Sequence, residues 1–297
     1  MNPSFHSRRH FIATLSGALA ASAAAQEAQL SYKGENMRFG LVTYQWGNDW
    51  DIPTLIENMT KAGINGVELR VDHAHGVNPT LTAEQRSAVR NEFADAGIEV
   101  IGMGCNWMFH WPDAEELKTH LASAKDYIKL SHDVGGSGVK VKPDKLPKEV
   151  PVEKTLEQIA NSLAELGDYA TGFGQEIRLE VHGDVTDLGH IAKIMKMADR
   201  DNVRVCWNSN NKDLEGEGLE ANFAKVQDYL GATTHVRELD TPGYPWDKLA
   251  SLLVNVDYTG WVCLEGHKPP QGDRLPGLTK QRELWTGFVN AARASAK

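Results

Sequence analysis

Glu176-Ile177-Arg178-Leu179-Glu180-Val181-His182-Gly183 alternates between apolar and polar side chains. Ile177, Leu179 and Val181 fall on one face and Arg178, Glu180 and His182 on the other, the period-2 pattern of a β-strand. Helical patterns flank the stretch on both sides, which places the strand in a parallel sheet covered by helices. Its polar face then points into a barrel interior or a crevice rather than into bulk water. A carboxylate there needs a partner, because an unpaired buried charge is costly.

Working outward, strand and helix patterns alternate from residue 37 onward. Strands are predicted at 38–44, 66–70, 99–104 and 138–142 before the opening stretch, and at 203–208, 234–239 and 261–265 after it. Helices are predicted at 52–62, 82–96, 113–134, 152–170, 187–198, 219–230, 246–256 and 280–294. Gly63 closes the first helix, Thr82 caps the second and Pro143 stops the fourth strand. Eight βα units over about 260 residues predict a single (β/α)8 TIM barrel in the α/β class. A doubly wound open sheet is the competitor, and the missing Gly-x-Gly-x-x-Gly after the first strand weakens it.

Residues 1–25 are set apart from this pattern. Ser7-Arg8-Arg9-His10-Phe11-Ile12 precedes a modest apolar run and then Ala23-Ala24-Ala25. Paired arginines, an aromatic residue and a small-residue cleavage site read as a twin-arginine signal peptide cut after Ala25. The apolar run is too short to remain as a membrane span. The expected destination is the periplasm, with no membrane association after cleavage. Residues 26–36 read as a polar linker, and 37–297 as the catalytic barrel.

The formal charge of the chain is −9. Without Arg8 and Arg9 it falls by two, to −11. An acidic body with no Lys/Arg cluster argues against nucleic acid and anionic membranes as partners. Cys105, Cys206 and Cys263 are odd in number, widely spaced, and in or beside predicted strands. They read as buried free thiols rather than a disulfide framework.

In a (β/α)8 barrel function sits at the C-terminal ends of the strands. Each of the last four strands carries one potential metal ligand there. Asn208 follows Glu180 by 28 residues, His235 follows Asn208 by 27, and Glu265 follows His235 by 30. Those intervals are about one βα unit each, so the four side chains converge on one mouth. Two carboxylates, an imidazole and an amide oxygen suit one divalent metal, Mn²⁺ foremost, with Zn²⁺, Co²⁺, Fe²⁺ or Mg²⁺ as alternatives. Singly, each residue would be read as a strand cap or a local ion pair.

From Met37 onward the chain resembles the sugar phosphate isomerase/epimerase-like family, the barrels related to xylose isomerase and tagatose epimerase. The resemblance is carried by Glu68-Leu69-Arg70 with His73-Ala74-His75-Gly76, and by Leu179-Glu180-Val181-His182-Gly183. Trp207-Asn208-Ser209-Asn210, His235-Val236-Arg237 and Leu264-Glu265-Gly266 complete it. It implies a metal held by a Glu, an Asp, a His and a second Glu. Glu180, His235 and Glu265 match, while Asn208 stands where the Asp is expected and removes one negative charge.

Other residues are expected to line the mouth and bind substrate. His182 shares a strand face with Glu180, and Arg237 shares one with His235. Arg237 could instead pair with Glu68 or Glu265. Lys140 and Lys142 share a face of strand four, with Lys142 nearer the active end. His75 follows strand two, and Trp107 belongs to an aromatic loop reading Asn106-Trp107-Met108-Phe109-His110-Trp111. Aromatic faces beside a polar mouth suit a sugar ring, although the same residues could bury the barrel top or an oligomer interface.

Three function classes follow. The first is a metal-dependent sugar isomerase or epimerase. In it Glu180 and Glu265 are the acid/base pair and a proton leaves the carbon beside a carbonyl. A 3-keto-glycoside lyase or hydrolase would share that first step. The second is phosphodiester hydrolysis, disfavoured by the acidic body. The third is a non-catalytic sugar-binding barrel, for which Asn208 is the best evidence. In the leading readings the partner is a small carbohydrate, with a homo-oligomer as a further expectation.

Overall fold

The structure is a computed structural model, and it describes residues 33–296. The proposed signal peptide and most of the linker lie outside the described residues. Eight strands form one parallel sheet: β1 Arg38–Val42, β2 Gly66–Arg70, β3 Glu99–Met108, β4 Gly138–Lys142, β5 Glu176–Glu180, β6 Val203–Cys206, β7 Thr233–Val236 and β8 Trp261–Leu264. The hydrogen-bonded order is β6-β5-β4-β3-β2-β1-β8-β7. First and last strands pair directly, Arg38 opposite Trp261 through Leu41 opposite Leu264. The remaining seam, between β6 and β7, is closed by parallel bridges Asn208↔His235 and Val205↔Leu230. The chain is thus a (β/α)8 barrel.

The helices are α1 Tyr44–Gly47, α2 Ile52–Ala62, α3 Ala83–Asp95, α4 Ala114–Asp133, α5 Val152–Thr171, α6 Leu188–Ala198, α7 Leu219–Ala224, α8 Trp246–Asn255 and α9 Leu275–Ser295. Local chemistry fixes several of their starts. Asp51 accepts from the Thr54 N–H and Asp187 from the His190 N–H. Thr82 and Gln85 form a reciprocal capping box, which satisfies two otherwise orphaned donors. No helix among the described residues is long and apolar enough to cross a membrane.

Strand parity divides the interior into two cores. Val67, Leu69, Val139, Val141, Ile177, Leu179, Val262 and Leu264 pack outward against the helices. A smaller cluster of Val42, Ile101, Trp261 and Cys263 is separate from that outer layer. Beside it lies Arg178, wholly buried. Its guanidinium donates to Glu176 Oε2 at 2.6 Å, Ser137 Oγ at 2.7 Å and the Ile101 carbonyl at 3.2 Å. Gly138 leaves the room for it, since a Cβ there would stand 2.8 Å from the guanidinium. Cys105, Cys206 and Cys263 are buried and free, as expected.

Several boundaries differ from the sequence expectation; β1 and β7, for instance, end at Val42 and Val236 rather than at 44 and 239. β3 runs on to Met108, where Met108 pairs with Lys142 beyond a register irregularity. Part of the expected aromatic loop is therefore strand, because no Gly or Pro interrupts it before Pro112. The helix predicted over 219–230 ends at Ala224, and its backbone tightens to i→i−3 bonds that drop the buried Val226 into the core. The last helix starts at Leu275, five residues early, with Pro276 in its first turn, where a missing N–H costs nothing.

Candidate active site

Seven polar side chains meet inside the C-terminal end of the barrel: Glu68 and Arg70 on β2, Lys140 on β4, Glu180 on β5, Asn208 after β6, His235 on β7 and Glu265 after β8. Their placement follows from parity. On β2, β4 and β5 these residues alternate with apolar neighbours packed in the outer core (Val67, Leu69, Val71, Val139, Val141, Leu179, Val181), so the polar face points inward.

Glu180 is the most tightly held. Lys140 Nζ donates to its Oε2 at 2.6 Å and Asn208 Nδ2 to its Oε1 at 2.7 Å. The Lys140 and Glu180 side chains are 0% and 1% exposed. Glu265 lies opposite, with Oε2 3.2 Å from His235 Nδ1 and Oε1 3.4 Å from Arg70 Nη1. On the far side of the imidazole, Nε2 is 3.4 Å from both oxygens of Glu68. Ligand atoms of Glu180, His235 and Glu265 all lie within 4.8 Å of one another.

The charges balance locally. Burial alone would raise the Glu68 and Glu265 carboxyls. The His235 charge, with help from Lys140, outweighs that and holds both below the usual carboxylate range. Burial likewise opposes the charged form of His235, but Cys206 and the carboxylates Glu68 and Glu265 lift it well above its ordinary value. We assign this lift to the two carboxylates, because burial keeps the Cys206 thiol protonated. Lys140 follows the same logic. Burial disfavours its charge, and Glu180 and then Glu265 restore it.

This donor set fits a divalent metal. Although His235 Nδ1 is near Glu265, it makes no directed hydrogen bond and is a buried nitrogen without a partner. Its other nitrogen faces Glu68, the arrangement that orients a metal-ligating imidazole. Glu180, His235 and Glu265 would therefore hold the ion. Asn208 turns its amide nitrogen toward Glu180 rather than adding a negative oxygen.

The remaining expected residues separate into two groups. His182 is 35% exposed, and its Nδ1 is 2.8 Å from Asp144 Oδ1. Asp144 is held there by the turn itself. Gly183 adopts φ +68°, and a Cβ on it would stand 2.1 Å from the Asp144 carbonyl. Lys142 is partly buried, and its ammonium is pushed down by burial and by neighbouring Lys140. Arg237 reaches Asn211 Oδ1 at 3.4 Å, so the partner of Glu265 is Arg70 and not Arg237.

His75 and Trp107, expected to contact substrate, make contacts within the protein. His75 Nε2 lies 2.8 Å from the Arg70 carbonyl, and its Nδ1 accepts the Val77 N–H at 3.0 Å. Burial lowers it to about 4, so it is a neutral brace with both nitrogens committed to backbone. Trp107 packs edge-on against His120 at 5.6 Å and beside Tyr127 at 5.8 Å, both on α4. Trp46 is buried and donates to Glu238 Oε1 at 3.1 Å.

Sequence reasoning missed the role of Lys140 and Asp144. The signal for Lys140 was its parity with Lys142 on one strand face. Asp144 carried none, since its contact depends on a left-handed turn at φ +70°.

Comparison with known proteins gives a consistent picture. A family model described as a xylose isomerase-like TIM barrel matches residues 56–285. An inosose dehydratase from Bacillus cereus (strain AH820) is 23% identical over 291 residues, covering 80% of this chain and 92% of that protein. The structure of L-ribulose 3-epimerase superposes with a TM-score of 0.75 at 15% identity, covering 88% of this chain and 97% of that one. The 3-keto-D-glucoside 4-epimerase YcjR from E. coli, in its apo form, gives 0.71 at 16% identity, covering 84% and 99%.

Proposed function

The chain belongs to the xylose isomerase-like TIM-barrel family, and from that premise we propose that it is a sugar-modifying enzyme that removes a proton from the carbon beside a carbonyl. The observation that carries this reading is the pair Glu180 and Glu265, brought within 4.8 Å of a shared His235 at the barrel mouth. Two carboxylates on strands three apart around the ring reach a bound sugar from different sides. One takes the proton at a carboxylate oxygen, and the other, or water, returns it.

A divalent metal held by Glu180, His235 and Glu265 supplies Lewis acidity toward a substrate carbonyl or hydroxyl oxygen. The protein's own cations serve the same end. Lys140 and Arg70 stand behind the two carboxylates and offset negative charge that builds on the enediolate. Glu68 holds the imidazole in one orientation. Asp144 holds His182 in one orientation, and in this reading His182, Lys142 and Arg237 bind sugar hydroxyls.

The named relatives support a carbonyl-bearing sugar or cyclitol as the substrate class. The Bacillus relative is a dehydratase, which favours a second reading. In that reading the same proton removal is followed by loss of a β-leaving group.

The test is solvent exchange on a panel of ketoses, inososes and 3-keto-glycosides in D₂O. A substrate is expected to gain deuterium at the carbon beside its carbonyl, or to lose water or aglycone if elimination follows. Absence of exchange and of product across the panel, with metal supplied, would overturn the reading.

A further inference from the structure

We propose that Lys140 is a built-in competitor for the metal, so that its ammonium and a divalent ion contend for Glu180 and the chain holds metal weakly and exchangeably. The inference rests on Glu180, His235 and Glu265 being the ligands, as read above.

Both oxygens of Glu180 already accept a hydrogen bond, Oε2 from Lys140 at 2.6 Å and Oε1 from Asn208 at 2.7 Å. Among the described residues Glu180 is the only hydrogen-bond partner of Lys140 Nζ. The Lys140 side chain is 0% exposed and springs from the middle of β4, opposite Arg178 on β5. It cannot swing to solvent, and leaving an ammonium unpaired in the barrel is costly. An ion that takes Glu180 therefore does so with a positive charge fixed beside it. Low-dielectric surroundings amplify that repulsion.

Asn208 works in the same direction. It spends its amide on Glu180 and contributes no countercharge. Without metal, both carboxylates already have a cationic partner: Glu180 meets Lys140 and Glu265 meets Arg70. The barrel mouth is thus built to be stable empty, and a metal must displace an existing partner to enter.

The experiment titrates metal-stripped wild type, Lys140→Met and Lys140→Gln with MnCl₂ by calorimetry, alongside thermal melts in EDTA and in Mn²⁺. His235→Ala is the ligand control. Both Lys140 variants are expected to bind Mn²⁺ at least about ten-fold tighter than wild type. They should also melt below wild type in EDTA, because Glu180 loses its charged partner, and gain more from Mn²⁺ than wild type does. If Lys140→Met does not fold, Lys140→Gln carries the titration, since it removes the charge and keeps a polar end in the cluster. Equal or weaker Mn²⁺ binding by the variants, with binding abolished in His235→Ala, would overturn this inference alone. Binding unchanged in His235→Ala, or absent from every protein, would overturn the ligand assignment and this inference with it.

Discussion

Asn208 and His235 pair across the seam where the barrel closes. The His235 N–H donates to the Trp207 carbonyl at 2.6 Å, and the Ser209 N–H donates to the His235 carbonyl at 3.1 Å. These bonds are all backbone, so the side chains are free for the cluster. Asn208→Asp should then leave the fold intact. It exchanges an amide donor for a carboxylate beside Glu180, which should cost roughly 1–3 kcal/mol without metal. With metal the added negative oxygen should tighten binding. Calorimetry with Mn²⁺ and melts in EDTA check both signs, and weaker metal binding in Asn208→Asp would contradict the account.

Removing either carboxylate should stop proton transfer. Glu180→Gln and Glu265→Gln are each expected to lose about 10²–10⁴-fold in the deuterium-exchange rate. The two should differ in stability. Glu180→Gln leaves Lys140 buried without a charged partner, at a cost of about 3–5 kcal/mol. Glu265→Gln releases Arg70 from a longer contact of 3.4 Å, and Arg70 is less completely buried than Lys140, so the cost should be smaller. Full exchange activity in either folded variant would refute the acid/base assignment.

The Asp144–His182 contact predicts an effect on binding rather than chemistry. Asp144→Ala removes the acceptor that orients the imidazole. It should raise KM several-fold while kcat changes little, and should reproduce most of the effect of His182→Ala. The KM-against-kcat split is the readout, and a loss confined to kcat would place His182 in the chemical step instead.

Asp213 supplies a pH dependence away from the cluster. Burial raises its carboxyl to about 7, although the Asn210 N–H and Tyr244 hydroxyl donate to it. Its folded pKa lies above the unfolded value of 3.8, so the native state binds the proton more tightly. The stabilisation is complete below about pH 4 and is lost as pH rises through about 7. Each tenfold gain in proton affinity on folding corresponds to about 1.4 kcal/mol. Asp213→Asn stays neutral and keeps an acceptor oxygen, so its melting temperature should fall less than wild type's between pH 5 and pH 8. Parallel profiles would show that Asp213 titrates normally.

Much of this architecture is legible in the residues because periodicity is a backbone property. Strict alternation in 176–182 and the near-equal spacing of Glu180, Asn208, His235 and Glu265 both survive folding unchanged. What the sequence hides is which like residue is chosen. Lys140 and Lys142 have the same parity, and only the depth of the layer decides that Lys140 meets Glu180. Arg70 shares a strand face with Glu68 and Arg237 with His235, and only the barrel's geometry gives Glu265 to Arg70. His75 looked like a mouth residue because it follows a strand, but it folds back onto the Arg70 carbonyl. These choices depend on angles between strands, which no spacing encodes.

The seam between β6 and β7 has a mechanical meaning. Glu180 and Asn208 stand on one bank, His235 and Glu265 on the other, and the ring is joined between them by isolated bridges rather than a continuous ladder. Whatever binds all of them acts as a clasp on the hoop. Its binding energy then appears as resistance to local opening at that point. Amide hydrogens of Ser209, Gly231 and His235 should exchange more slowly when the clasp is fastened, while those of the β1–β8 ladder keep their rate. Uniform protection around the ring would mean that the hoop opens as a whole.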